Sequence, residues 1–217
     1  LIAAFRVLEL QPPDAERTRR ILGREAAALN APQSEAWLAW VERLHRRYAG
    51  YSAHPARCLR FLRECLQAQA DATQSEVTRR FARETGLPEW LLDDALPFDQ
   101  GAALAHFEQR VMGQSAAVAA LVARIAAIKA DLHRGGRPLG SFLLVGPTGT
   151  GKTELAKTLA EYLFGSAQRL TRFDLSQASD PASVLKLIGS RAYGSPEGLL
   201  TARIREPLQA GGKKLLL

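Results

Sequence analysis

The stretch Gly146-Pro147-Thr148-Gly149-Thr150-Gly151-Lys152-Thr153 constrains this chain more than any other feature. It fits the pattern G-x-x-x-x-G-K-(S/T) at every fixed position. Its flanks supply the context that such a loop needs. Ser141-Phe142-Leu143-Leu144-Val145 reads as a short buried strand. Thr153 to Phe164 reads as a helix, with Leu155, Leu159, Tyr162 and Leu163 on one face. Strand, glycine loop and helix in that order form a phosphate cradle; the alternative is a chance glycine-rich turn.

The chemistry follows from the residue types. Glycines admit positive φ and bring backbone N–H groups against phosphate oxygens. The start of the helix adds the positive end of its dipole. Lys152 is expected to reach the β- and γ-phosphates as a point charge, and Thr153 to place its hydroxyl on Mg²⁺. A nucleotide's polyphosphate with Mg²⁺ is thus the expected ligand.

At 217 residues the chain has room for one or two domains, and 47% hydrophobic content permits a packed core. No apolar run approaches the length of a membrane span and no secretory signal opens the chain, so no membrane partner is expected. Cys58 and Cys65 lie seven apart on one predicted helix, too far to bridge, and read as core residues. Their use fits a reducing, cytoplasmic setting. The net charge of +7 raises nucleic acid as a partner. The arginines, however, are scattered along amphipathic helices (Arg17, Arg19, Arg20, Arg24), which reads as solvated helix faces instead.

Along the chain, Leu1 to Leu10 reads as a strand closed by Pro12-Pro13. Helices follow from Pro13 to about Leu29, from Gln33 or Ser34 through Tyr48, and from Pro55 to about Ala70. A fourth is capped by Thr73 and ends at Gly86, with Pro88 beyond. Trp37 and Trp40 are expected in the core, as are Cys58, Leu59, Leu62 and Leu66. Leu91 to Gln109 reads as a connector, and Gln114 to Leu132 as an alanine-rich helix. After the phosphate loop and its helix, Arg169 to Asp174 reads as a second strand. Asp180 to Ile188 and Leu199 to Gln209 read as helices, and Lys214 to Leu217 as a third strand. Such alternation predicts a parallel sheet. Both ends fall inside apolar, strand-like runs, which predicts a piece of a longer protein.

From Val111 onward the words around the loop resemble the second ATPase module of the Clp family of AAA+ protein unfoldases. Val111-Met112-Gly113-Gln114 resembles that family's V-I-G-Q, and Arg137-Pro138-Leu139-Gly140-Ser141-Phe142-Leu143 its R-P-I-G-S-F-L. Gly146 to Lys157 is similar to G-P-T-G-V-G-K-T-E-L-A-K. Arg172-Phe173-Asp174-Leu175-Ser176 and Leu187-Ile188-Gly189 resemble R-x-D-M-S and L-I-G. The earlier helices resemble the lid of a preceding AAA+ module, with Tyr48, Pro55-Ala56-Arg57-Cys58 and Thr85-Gly86-Leu87-Pro88 at the matching places.

The resemblance implies an α/β fold: an all-helical AAA+ lid followed by a truncated P-loop NTPase core with a parallel sheet. It divides the chain into residues 1–10, the last strand of a preceding core; 11–94, the lid; 95–110, a linker; and 111–217, the start of a second core. It implies that the nucleotide is ATP, and that copies of this protein form a hexameric ring that uses ATP to pull unfolded or tagged proteins through a central pore. A ring peptidase is a further partner that it allows. Gly146, Pro147, Thr148, Gly149, Thr150, Gly151, Lys152, Thr153 and Glu154 would hold the nucleotide, with Lys152 and Thr153 acting on the reacting phosphate. Val111 and Met112 would line the adenine.

Tyr193 is either the aromatic that grips substrate in the pore or an ordinary loop tyrosine. Arg57 is either a nucleotide sensor for the preceding module or a surface arginine. Gly189 to Ser195 is shorter than the family's G-A-P-P-G-Y-V-G, Gln177 replaces a common Glu, and the disaggregases' long lid insertion is absent. Lys213 to Leu217 is expected to lead into a Walker B strand whose acidic pair is not in this sequence. Two other functions stay open at this level: a nucleotide-binding scaffold that does not hydrolyse, and an AAA+ switch acting on nucleic acid.

Overall fold

A computed structural model describes residues 11–49, 54–132, 138–173, 181–189, 198–200, 202 and 215–216. The strand expected over Leu1 to Leu10, the residues Asp174, Gln177 and Tyr193, and most of the helix expected over Leu199 to Gln209 lie outside them. The described part is mostly helical. Among the described residues, those up to Val77 form one compact group and those from Thr78 onward another.

The first group is built from α1 (Ala15–Ala28), α2 (Glu35–Tyr48), α3 (Ala56–Ala68) and the start of α4 (Gln74–Thr85). Each start is written locally. The Asp14 carboxylate accepts from the Arg17 N–H at 2.8 Å, and Ser34 Oγ accepts from the Trp37 N–H at 3.2 Å. At α4, Thr73 and Glu76 cap each other's backbone, a reciprocal box. Apolar residues at helical spacing then face inward: Leu22 and Ala26, then Val41 and Leu44, then Cys58, Phe61 and Leu62 are all buried. Trp37 is buried and donates its indole N–H to the Ala72 carbonyl at 2.7 Å. Trp40 departs from expectation. It is half-buried, with the Arg43 guanidinium 4.4 Å from the ring centre. Leu59 is likewise half-buried, because Phe61 and Cys65 take the inward face.

The second group carries the remainder of α4, then α5 (Glu89–Leu92), α6 (Gln100–Arg110), α7 (Ser115–Lys129), α8 (Lys152–Phe164) and α9 (Pro181–Ile188). Gly86 ends α4 with φ +72°, and its N–H donates to the Ala82 carbonyl at 2.7 Å. Gln100–Arg110, read from sequence as connector, is a capped helix: Asp99 accepts from the Ala102 N–H at 2.9 Å. Ala103 and Phe107 of α6, Val118, Val122 and Ile125 of α7, and Leu155 and Leu159 of α8 share one core with Val111. Full burial of such side chains is worth roughly 1.5–3 kcal/mol each, which outweighs weak local preference in the connector.

The sheet is smaller than expected. β1 (Leu170–Thr171) pairs in parallel with β2 (Leu215–Leu216), Leu170 opposite Leu215 and Thr171 opposite Leu216. The second strand is thus present but short: Arg169 belongs to the 3-10 turn Ala167–Arg169, and Arg172 and Phe173 lie beyond the ladder. The third strand appears at its expected place. Ser141 to Val145 does not form the buried strand expected. It makes no ladder among the described residues, and Leu143 and Val145 are 89% and 85% exposed. Only Leu144 packs on the core. The alternation is that of an extended chain with one face covered. A strand is buried on both faces only where neighbours cover them, and among the described residues no strand lies beside this one.

Candidate phosphate-binding loop

The loop leads directly into α8. Gly151 is the residue before the first helical turn and takes a left-handed conformation, φ +85°. No side chain caps this end. The first N–H groups of a helix have no carbonyl partner within it, so those of Lys152 and its successors are left for an outside acceptor. Glu154 in the first turn is exposed. Gly149 also has φ +85°, a conformation that costs an L-residue roughly 1–2 kcal/mol. The glycines at these two positions are therefore needed for backbone shape.

Lys152 folds over its own loop. Its Nζ donates to the Gly146 carbonyl at 2.7 Å and to the Pro147 carbonyl at 2.5 Å. Thr150 Oγ1 donates to the Pro147 carbonyl at 2.9 Å. Gly146 sits against that threonine: a Cβ there would stand 3.1 Å from Oγ1. The loop is thus a closed backbone ring with an ammonium group at its mouth. Gly146, Pro147, Thr148 and Gly149 are exposed and Thr153 is half-buried. Backbone donors at a helix start, a lysine ammonium and a threonine hydroxyl are a donor set for a polyphosphate carrying a hard cation. The arrangement fits ATP with Mg²⁺.

Two sequence-marked residues beside the loop behave differently. Val111 is 4% exposed and packs in the core with Leu155 and Leu159. Its Cγ1 lies 3.4 Å from where a Gly151 Cβ would stand, so the structure brings it to the loop. Met112 is 84% exposed, directed away from that core. Tyr193 is outside the described residues. Arg57 is buried, at the start of α3 in the first group, and does not lie on a helix surface.

Several residues that position the loop carry no local signal. Arg124 of α7 donates to the Leu139 carbonyl through Nε at 3.2 Å and Nη2 at 2.8 Å, holding the chain that enters the loop. Lys129 Nζ donates to the carbonyls of Trp90 and Asp93 at the end of α5. Tyr162 of α8 lies among Trp90, His106 and Phe107, at ring separations of 5.8, 5.2 and 5.2 Å. Burial, then the Asp99 carboxylate, push the Tyr162 phenol above its ordinary range. Arg110, at the end of α6, pairs with Glu161 of α8. These partners are too far apart in sequence for any spacing rule to find.

Residues 137–208 match the AAA domain (Cdc48 subfamily). The ATP-dependent Clp protease ATP-binding subunit ClpL of Staphylococcus aureus is 39% identical over 140 residues, covering 63% of this chain and 20% of that protein. Chaperone protein ClpB of Lactococcus lactis subsp. lactis is 40% identical over 126 residues, covering 56% and 14%. The chain therefore spans a fifth or less of the length of these curated relatives. Among solved structures, the Saccharomyces cerevisiae Hsp104:casein complex in its extended conformation is similar with a TM-score of 0.66 at 26% identity. It covers 86% of this chain and 34% of that one. The closed state of Hsp104 with ATPγS and FITC-casein gives a TM-score of 0.64 at 26% identity, covering 84% and 34%.

Proposed function

This chain is a Clp-type AAA+ sequence, and from that premise we propose that it supplies the ATP-binding site of a subunit of a hexameric protein unfoldase. The observation that carries the reading is the loop itself. An uncapped helix start, two left-handed glycines and Lys152 converge on one exposed point. Gly146 to Thr153 hold the phosphates, with Glu154 in the first turn behind them. Lys152 stabilises the charge on the reacting phosphate and Thr153 holds Mg²⁺. The turn of Val111 and Met112 lies on the adenine side, through backbone where Val111 turns its side chain inward.

The whole protein, on this reading, hydrolyses ATP in the cytoplasm and draws unfolded or tagged polypeptides through the ring, with Tyr193 gripping them. A solved relative bound to casein supports a polypeptide as substrate. The likeness to a Clp protease subunit supports a ring peptidase as a partner. β2 supplies the lead-in to a Walker B strand, and the lid and core assignments of residues 11–94 and 111–217 follow the same likeness.

The test is nucleotide binding by the protein and by Lys152→Ala. A hydrogen bond to a charged group is worth about 1.5–3 kcal/mol, so ATP affinity should fall about ten- to a hundredfold. Lys152 is a half-buried residue at the start of α8 whose ammonium bonds carbonyls of its own loop, so the thermal midpoint should move little. Equal ATP affinity in both proteins would sink the assignment.

A further inference from the structure

Arg110 closes α6 and pairs with Glu161, in the last turn of α8. Neither residue belongs to the phosphate-loop pattern. Their side chains are 47% and 36% exposed, and such pairs add little to global stability. The next residue turns the other way: Val111 is buried, and its Cγ1 faces Gly151 at the front of the same helix. Adjacent residues of one chain therefore hold α8 at two points ten residues apart, about 15 Å along its axis. Next to the ion pair, Phe107 lies on Tyr162 at 5.2 Å.

The two holds differ in kind. Apolar packing is non-directional. A guanidinium–carboxylate pair fixes direction as well as distance. Packing keeps α8 against α6, and the ion pair sets its rotation and register. The turn that follows Arg110 is Val111-Met112-Gly113-Gln114, with Gly113 at φ +73°.

We propose that Arg110 is a positioning residue for the nucleotide. With Glu161 it fixes the register between the base-side turn and the helix whose start holds the phosphates. This rests on the reading of the loop as an ATP site. Glu161 lies nine residues beyond Lys152, about 13 Å along the helix, so the pair acts on the base side and leaves the phosphate cradle alone.

The experiment titrates the full-length protein, Arg110→Ala and Glu161→Gln with ATP and with inorganic tripolyphosphate, both with Mg²⁺. ATP affinity should fall about two- to fivefold in each variant, while tripolyphosphate affinity stays unchanged. The charge-swapped double variant, Arg110→Glu with Glu161→Arg, should recover most of the ATP affinity. A merely structural role would weaken both ligands alike and lower the thermal midpoint with them. Unchanged ATP affinity, equal losses for the two ligands, or no recovery in the swap would each overturn the proposal. Should Arg110→Ala fail to fold, Glu161→Gln carries the same comparison. A wild-type protein that binds neither ligand would instead overturn the ATP-site reading beneath it.

Discussion

Val111 Cγ1 lies 3.4 Å from the position that a Cβ on Gly151 would occupy. The contact joins the turn after α6 to the last residue before α8. Gly151 therefore meets two demands at once, since it also has φ +85°.

Gly151→Ala should lower stability and weaken ATP binding together. The left-handed conformation costs an alanine roughly 1–2 kcal/mol, and the added methyl would sit in van der Waals contact with Val111. Gly149 is the control: it has the same φ, but a Cβ there meets nothing within 4 Å. Gly149→Ala should carry the conformational cost alone. Thermal denaturation of the two variants side by side tests this: both midpoints should fall by about the same conformational cost, and an unchanged midpoint in either would contradict it.

His45 predicts an acid weakness in the first group. It is buried, its Nδ1 donates to the Val41 carbonyl at 2.9 Å, and its ring stands edge-on to Phe61 at 5.0 Å. Burial holds its pKa down to about 4, although the Val41 bond favours the charged form; the nearby charges of Arg57, His54 and Arg60 push it down as well. The native state thus binds a proton later than the unfolded chain does. The stability from neutral His45 is fully present above about pH 6.5 and is lost progressively as pH falls towards 4, by on the order of 3 kcal/mol. Denaturant midpoints across that range should decline, and His45→Leu should flatten the decline. An identical slope in the variant would assign the weakness elsewhere.

The box at the start of α4 has a measurable worth. Thr73 Oγ1 accepts from the Glu76 N–H at 3.3 Å, and Glu76 Oε2 accepts from the Thr73 N–H at 2.7 Å. Thr73→Ala should cost about 1 kcal/mol, and Thr73→Ser much less. Chemical denaturation of the three proteins checks the order.

Helix starts and stops were the most legible part of the chain. Ser34, Thr73 and Gly86 act within three or four residues of themselves, so a linear reading finds them; Asp14, which caps α1, was passed over for Pro13. The candidate phosphate loop stands out in the sequence for the same reason: its glycines, Lys152 and Thr153 are contiguous. The strand ahead of it was misread. Ser141 to Val145 has the composition of a buried strand, but burial depends on what lies alongside. Composition likewise suggested that Trp40 is core, and the structure leaves it half-exposed beneath Arg43.

By itself the sequence marked the starts and stops of several helices, a loop of the kind that can wrap a phosphate, and the likeness to AAA+ proteins that the family and structural comparisons bear out. Only the tertiary structure decided that Gln100–Arg110 is a core helix, that Val111 touches the loop while Met112 faces solvent, and that Arg110 and Glu161 meet. The reason is range. Caps, turns and glycine loops satisfy backbone groups over a few residues, whereas a partner fifty residues away is chosen by how helices pack, and nothing in local spacing encodes that choice.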